Sequence, residues 1–248
     1  MGRFYVTSND INRSRTVLGT EDFVISHVKE KVAKWTKELD SLATIAFTQP
    51  HAAHAAFTHG LSSKWSYLTR TIQDIGTLLQ PLETIIRSKL IPALTGQPPP
   101  NDEVRDLLAV SARLGGIALT NPTSAADVEF SASTKVSDPL KRAILQQSFE
   151  YPDDVVSEQV EAKGEVRRMK HEQSTQAAEI LKQSLSTSLK RSMDLAQEKG
   201  VSTWLTSLPI QEFGFTLHKR AFQDAMACLL YTSPSPRDAT LSRMPSSA

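Results

Sequence analysis

The sequence predicts an all-α protein, an irregular helical bundle with one long charged helix. Two stretches carry apolar residues at alternating steps of four and three, which is the spacing that lines one face of a helix. No stretch sustains the alternation of apolar and polar residues that is expected of a half-buried strand. Of the 248 residues, 40% are hydrophobic and 22% are charged, so the chain has enough apolar surface to bury a core.

The first apolar stripe predicts a helix that begins at Glu21. Its members are Val28, Val32, Trp35, Leu39, Leu42 and Ala46. Thr20 precedes the acidic pair Glu21 and Asp22, and we expect its side chain to cap the helix. Pro50 ends this helix and opens a short alanine-rich segment that closes near Gly60.

The second apolar stripe predicts another helix, which Pro81 interrupts. Its members are Leu61, Trp65, Leu68, Ile72, Ile75 and Leu79, and the next helix carries Leu82, Ile85, Ile86 and Leu90. We expect the helices of residues 21–94 to pack against one another, with Trp35 and Trp65 buried between them.

Capping residues place the next helices. After a proline-rich loop, Asn101 or Asp102 starts a helix that runs through Ala112. The pairs Asn121-Pro122 and Asp138-Pro139 each predict a further helix start, because proline favours the first position of a helix.

Residues 153–199 predict one long, highly charged helix that is largely solvated in its middle. Gly164 is a point at which this helix could break, and Gly200 ends it as a C-cap. Its second half carries an apolar seam at steps of four, formed by Ala177, Leu181, Leu185, Leu189 and Met193. This seam leaves a second interpretation open, in which the chain is a non-enzymatic helical or coiled-coil protein-interaction module.

The composition argues against several classes of function. The only cysteine is Cys228, so the sequence offers neither an internal disulfide nor a multi-cysteine zinc site. The 10 glycines argue against a glycine-rich nucleotide site, and the net charge of +1 does not indicate a strongly basic protein. Neither a secretory signal nor an apolar run of ~18 residues is present. We therefore expect an intracellular protein, nuclear or cytoplasmic, without a membrane partner.

His51, His54 and His59 are the first candidates for chemistry. The first two are spaced by three residues, share one helix face and would suit a metal ion. No acidic or cysteine ligand lies nearby in the sequence. We therefore expect partly exposed helix histidines and no metal site.

The second candidate is Tyr151-Pro152-Asp153-Asp154, which has the form of the Tyr-x-Asp-Asp signature of polymerase hairpins. Adjacent carboxylates suit a site that holds two metal ions. A catalytic hairpin needs apolar strands on both sides, whereas polar residues precede this motif and Pro152 removes a strand donor. We expect Asp153 and Asp154 to cap the long helix instead, and we predict neither a catalytic residue nor a cofactor.

Three basic clusters are candidates for contact with nucleic-acid phosphates, and they are Arg167, Arg168 and Lys170, then Lys190 and Arg191, then Lys219 and Arg220. The first cluster and the glutamates that interleave with it are Arg167, Arg168, Lys170, Glu161, Glu165 and Glu172. Their helical spacing predicts ion pairs within the helix. Lys219 and Arg220, beside Trp204 and Phe213, have fewer acidic neighbours and are the better candidates.

Several blocks of sequence carry a resemblance to a known family. They are Gln49–Leu61, Lys64–Ile72, Pro81–Glu83, Leu90–Gly96, Arg113–Ile117, Ser202–Pro209 and Gly214–Lys219. Together, and in this order, they resemble the region after the palm in reverse transcriptases of the non-LTR type of retrotransposon. Val17-Leu18-Gly19 stands where that family has a palm-end Tyr-Leu-Gly motif, and the resemblance covers about residues 16–227.

The resemblance implies a helical thumb and connector that follow a polymerase palm. It divides the chain into a disordered or non-native leader (1–15), a thumb-like helical bundle (16–150), and a long helix with a helical connector (151–227). The catalytic aspartates would lie in an upstream palm of the same polyprotein, so this chain is not expected to be an enzyme by itself. The implied partner is the backbone of an RNA–DNA or DNA duplex, bound weakly.

Basic side chains of a thumb would grip the duplex through its phosphates, without reading the bases. The candidates in this chain are Lys64, Arg70, Arg87, Lys89, Lys219 and Arg220. The alternative for the first four is that they only make the bundle soluble.

The sequence departs from the family pattern at three positions. Val17 replaces the aromatic residue of the palm-end motif, Ser111 stands where the family tends to have proline, and Ala118 stands where it tends to have glycine. These departures are what a decayed copy of the element would show.

Residues 228–248 look like a translated sequencing adapter. Codons for Cys228–Asp238 spell a common transposase-type library adapter, and those for Leu241–Ala248 continue as its flow-cell end. The reading frame of the protein would then be cut at Ala227, and we expect the tail to be disordered and dispensable. Without the tail, basic and acidic residues are equal in number.

Overall fold

The computed structural model describes residues 19–146 and 153–230, and all regular secondary structure in these two ranges is helical. The all-α class is therefore confirmed. The α-helices are α1 (Glu21–Ala46), α2 (Pro50–His59), α3 (Ser66–Thr71), α4 (Gln80–Ile85), α5 (Ile91–Thr95), α6 (Asp102–Ala109), α7 (Pro122–Leu145), α8 (Asp153–Ser184), α9 (Thr187–Gln197), α10 (Thr203–Thr206) and α11 (Lys219–Leu230). In this part of the chain no helix is both long and apolar enough to cross a membrane.

Helix α1 is the centre of the bundle, and the whole predicted stripe from Val28 to Ala46 is buried. Trp35 packs on Trp65 with the ring centroids 6.3 Å apart, and both side chains are buried, as predicted. The expected cap is wrong in one respect. The side chain of Thr20 makes no capping hydrogen bond, and its backbone carbonyl accepts instead from the N–H of Val24.

The second stripe does not form one helix. Its residues are divided among a 3-10 turn at Leu61–Ser63, helix α3, and another 3-10 turn at Gly76–Leu79. The chain becomes extended at Ile72 and left-handed at Asp74, whose φ is 57°. Leu68, Ile75 and Leu79 are nevertheless buried. The pattern therefore predicted correctly that these side chains are buried, and wrongly that they belong to one continuous helix.

A π-helical turn at Ile86–Leu90 joins α4 to α5 directly before Pro92. Proline cannot donate to the carbonyl four residues earlier and clashes with it in a regular helix, so a wider turn at this point accommodates Pro92. The buried side chains of Ile86, Leu90 and Leu94 keep this segment against α1 and α2.

Two of the predicted helix starts are confirmed by their caps. Asn101 accepts a hydrogen bond from the N–H of Val104, and Asn121 accepts one from Thr123. The start predicted at Asp138 is wrong, because α7 continues through Pro139. Pro139 is buried where α7 packs on α8, and this burial offsets the single backbone hydrogen bond that proline removes.

The predicted long helix is divided in two. Gly164 does not interrupt α8, but the helix ends at Ser184, and Ser186 caps α9 by accepting from the N–H of Leu189. The N–H of Ser186 donates to a carboxylate oxygen of Glu103, which ties this junction to α6. Leu185 and Leu189 enter the main hydrophobic core. The seam that suggested a coiled-coil arm is therefore covered in part by the bundle itself.

A buried ion pair, not anticipated from the sequence, connects α4 to α6. Arg105 donates to both carboxylate oxygens of Glu83, at 2.6 and 2.7 Å, and its third nitrogen donates to the carbonyl of Leu119. Both charged side chains are almost fully buried. Since each charge is paired in a bidentate geometry, burial is tolerated here.

Helix α11 runs three residues beyond Ala227, into the segment that was expected to be disordered. Phe222, Met226 and Leu229 form one buried face of this helix, at the spacing that aligns side chains on a helix. Residues 228–230 are thus helical, and Leu229 belongs to the core. The remaining tail, the leader, Val17, and the pair Tyr151-Pro152 lie outside the described residues.

Candidate nucleic-acid interface

The four predicted phosphate ligands of the bundle are each engaged by a carboxylate. The pairs are Lys64 with Glu38 (2.5 Å), Arg70 with Glu129 (3.2 Å), Arg87 with Asp102 (2.6 Å) and Lys89 with Asp40 (2.5 Å). All four cations keep part of their side chains in solvent, where ion pairs are weak. Phosphate contact would have to compete with these carboxylates.

The carboxylate partners of two of these cations lie on different sides of α1. Lys64 and Lys89 both reach α1, but their partners Glu38 and Asp40 are two residues apart. Residues two apart on a helix point to different sides. The separate pairing of each cation favours the interpretation in which these residues make the bundle soluble.

A three-residue network joins α3, α7 and α8. Glu129 on α7 accepts from Arg70 on α3 and from Lys170 on α8. Burial by itself would raise the pKa of Glu129, but the hydrogen bonds and charges of Lys170 and Arg70 outweigh it and lower the pKa overall. Lys170 therefore forms its ion pair with a residue of another helix. The ion pairs that the sequence predicted within α8 do not occur among the described residues.

Lys219 and Arg220, at the start of α11, are placed differently. The Nζ of Lys219 lies 4.1 Å from the ring centroid of Phe47, which is a cation–π contact. Arg220 is exposed, and none of the ion pairs among the described residues includes Lys219 or Arg220. These two cations have no carboxylate to displace.

Exposed aromatic rings precede these cations by a few residues in the chain. Phe213 and Phe215 are 67% and 58% exposed, and their ring centroids are 6.0 Å apart. A 3-10 turn at Gln211–Phe213, a left-handed Gly214 and a hydrogen bond from the N–H of Phe215 to the carbonyl of Ile210 set this spacing. The sequence had placed Phe213 near the basic pair. Phe47 was missed because it follows the buried stripe of α1, where an apolar residue is expected to be core.

His51 on α2 contacts the segment that leads into α11. Its Nδ1 accepts a hydrogen bond from the N–H of Leu217 at 3.1 Å, and its ring stacks on Phe222 with a centroid distance of 5.5 Å. The ring of Trp204 packs edge-on against the imidazole of His51, with the ring centroids 6.4 Å apart. Burial lowers the pKa of His51, and the nearby backbone of Trp204 and Ser207 only partly offsets this.

His54 is the second buried histidine of α2, with a side chain that is 1% exposed. Its Nε2 lies 2.9 Å from the carbonyl oxygen of Ile117 and donates to it, which leaves Nδ1 without a proton. Burial, together with the charges of His51 and His59, lowers the pKa of His54 to about 4. The hydrogen bond to the carbonyl of Ile117 acts in the opposite direction and offsets only part of this shift. The expectation of partly exposed histidines is therefore wrong for these two residues.

The buried histidines serve structure by their contacts. His59 is exposed, and within the described ranges no group of three histidine, cysteine or acidic side chains is placed to hold a metal ion. The unpaired ring nitrogens, His51 Nε2 and His54 Nδ1, have no hydrogen-bond partner in this part of the chain. Asp153 and Asp154 are the first two residues of α8, and their side chains, on which the capping prediction depends, lie outside the described set.

Comparisons of the chain with protein-family models, with curated proteins and with solved structures found no match.

Proposed function

We propose that the chain is the thumb and connector part of a retrotransposon reverse transcriptase, and that it binds nucleic acid without being an enzyme by itself. The proposal rests on the ordered blocks of resemblance and on how those blocks fit the backbone. The catalytic aspartates of the reverse transcriptase would belong to an upstream palm. That palm would also be the partner of this chain within the polyprotein.

The turn that follows α6 carries the proposal. Gly115 has a φ of 90°, and a side chain at Gly116 would lie 2.1 Å from the carbonyl oxygen of Val110. Both glycines of the Arg113–Ile117 block are therefore required by this turn. A block that was singled out by resemblance thus coincides with a demanding backbone geometry.

The two departures in this region support the same interpretation. Ala118 has a φ of 59°, a conformation that favours the glycine of the family pattern. Ser111 has a φ of −62°, and Val110 before it is extended, which is the backbone that a proline at position 111 would need. At both positions the backbone suits the family's residue better than the one present.

The binding that we propose is electrostatic and weak. Among the six candidate cations, Lys219 and Arg220 are the ones that carry it, since both are free of carboxylate partners, whereas the other four are each paired with a carboxylate. Affinity for phosphates arises mainly from the release of counterions and therefore falls as salt rises. With a net charge of +1, the expected dissociation constant is micromolar or weaker at physiological salt.

The test is a salt titration of binding to a labelled RNA–DNA hybrid, with the full chain. We expect the double variant Lys219→Gln/Arg220→Gln to weaken binding and to reduce the salt dependence. The control is Lys29→Gln/Lys34→Gln, which removes two exposed cations of α1. Absence of binding at low salt would reject the proposal.

Primer extension with magnesium or manganese tests the non-enzymatic part. We expect no incorporation of nucleotides, because two-metal phosphoryl transfer needs carboxylates that converge from separate segments. Incorporation that Asp153→Asn abolishes would show instead that Tyr151–Asp154 is a catalytic motif.

A helical interaction module is the second candidate, and one observation favours it. Ile144 and Leu145 at the end of α7, and Val156 and Val160 near the start of α8, are all exposed. Only residues 146–152 separate these helices, so the exposed side chains are near one another in the chain. Light scattering of the full chain and of Leu145→Asp would detect association through this end of the hairpin.

A further inference from the structure

The aromatic side chains around the start of α11 are exposed, although the bundle has a large core. We name Phe47, Phe213, Phe215, Lys219 and Arg220 the aromatic–basic face. Phe47 is 65% exposed, and the rings of Phe213 and Phe215 are exposed to a similar degree. Rings of this size are usually buried, and a group of exposed ones marks an interaction site.

The parts of this face are held near one another. Phe47 contacts Lys219 directly. Phe215 lies four residues before Lys219, so the chain cannot separate their Cα atoms by more than about 14 Å. Leu217, between them, is fixed to buried His51 on α2. The chain therefore keeps the Phe213–Phe215 pair within a few residues of the Phe47–Lys219 contact, a span that a few nucleotides of a single strand could bridge.

The cations decide what kind of partner fits. Lys219 and Arg220 occupy the first turn of α11, the end at which the helix dipole adds positive partial charge. Glu212 and Asp224 are the exposed carboxylates on the same segments, and neither is paired with these cations. Flat rings beside uncommitted cations suit a ligand that offers both stacking faces and phosphates.

We propose that the aromatic–basic face binds single-stranded nucleic acid, with bases stacked on Phe213 and Phe215 and phosphates at Lys219 and Arg220. This inference rests on the proposed nucleic-acid function and narrows it. In a duplex the bases are already stacked on their neighbours and their faces are covered, whereas a single strand exposes them. Such stacking tolerates any sequence, because every base has a π-face.

The experiment measures fluorescence anisotropy of a labelled oligouridine and of a labelled RNA–DNA hybrid with the full chain. We expect Phe213→Ala/Phe215→Ala to weaken binding of the single strand by about tenfold or more and to leave the hybrid within about twofold. The matched control is Phe23→Ala, which removes a partly exposed ring at the other end of α1. Circular dichroism of each variant checks that helicity is retained.

The charges are tested by the salt dependence. If Lys219 and Arg220 each neutralise one phosphate, Lys219→Gln/Arg220→Gln should reduce the slope of log K against log salt by about 1.4 for the single strand. An unchanged slope would remove these two residues from the site.

The outcomes separate this inference from the proposed function. Binding of the hybrid together with single-strand affinity that is unaffected by the phenylalanine variants would overturn the inference alone. Absence of binding to either nucleic acid would overturn both. Self-association that the phenylalanine variants abolish, without any effect on single-strand affinity, would assign the face to a second copy of the chain and overturn the inference.

Discussion

The backbone N–H of Leu217 donates to Nδ1 of buried His51, across 166 positions of the sequence. This hydrogen bond fixes the segment before α11 onto α2, and it requires that Nδ1 carry no proton. Because Lys219 follows Leu217 by two residues, the neutral state of His51 also positions the aromatic–basic face.

The first prediction concerns the pH dependence of stability. Burial holds the pKa of His54 at about 4 in the folded protein, against about 6.5 when it is unfolded. Between these values the unfolded state binds more protons, so stability is complete above about pH 6.5 and falls as the pH is lowered toward 4. The loss from this residue is about 3 kcal/mol, and urea unfolding at a series of pH values measures it.

His51 contributes in the same direction, since its pKa is also lowered. His54→Gln should flatten the pH profile between 6.5 and 4, whereas His171→Gln, at an exposed position on α8, should leave it unchanged. A profile of the unmodified protein that is flat across this range would contradict the prediction.

The second prediction concerns the buried pair Arg105–Glu83. Arg105→Met leaves the carboxylate of Glu83 buried without its partner and should lower the free energy of unfolding by about 3–5 kcal/mol. Lys89→Met removes one member of an exposed pair and serves as the control, with an expected loss of about 1 kcal/mol or less. Equal losses for the two variants would mean that the buried pair does not stabilise the packing of α4 against α6.

The third prediction concerns Ala118 and Ser111, two of the three positions at which the sequence departs from the pattern that it resembles. Ala118→Gly removes the strain of an alanine in the left-handed conformation, whereas the glycine increases the conformational entropy of the unfolded chain. The net effect should be to raise the free energy of unfolding by about 0.5–1 kcal/mol. Ser111→Pro should add about 0.4–1 kcal/mol, because the backbone already has the angles that proline needs. Thermal melting compares each with Ala125→Gly, a helical control on α7 that should be destabilised.

The fourth prediction tests where the folded chain ends. Truncation after Ala227 removes buried Leu229, so it should be less stable than truncation after Leu230 by about 1.5–3 kcal/mol. We compare the two truncated proteins with the full chain by urea unfolding. Equal stability of both truncations would show that the end of α11 does not contribute to the core.

The sequence predicted part of the candidate interface. Lys219, Arg220 and Phe213 were singled out because acidic residues are sparse in the chain around them. Lys64 and Lys89 could not be judged in this way, since their partners Glu38 and Asp40 lie 26 and 49 positions away. Pairing between distant segments leaves no local pattern.

The sequence by itself determined the helical class, the buried stripe of α1 and the caps at Asn101 and Asn121. These features act over one turn of a helix, so a short window of residues contains their cause. Only the tertiary structure decided that the second stripe is broken, that α7 continues through Pro139, and that His51 and His54 are buried. Each of these depends on contacts with segments far along the chain, because burial and packing on a neighbouring helix outweigh the local preferences of proline and histidine.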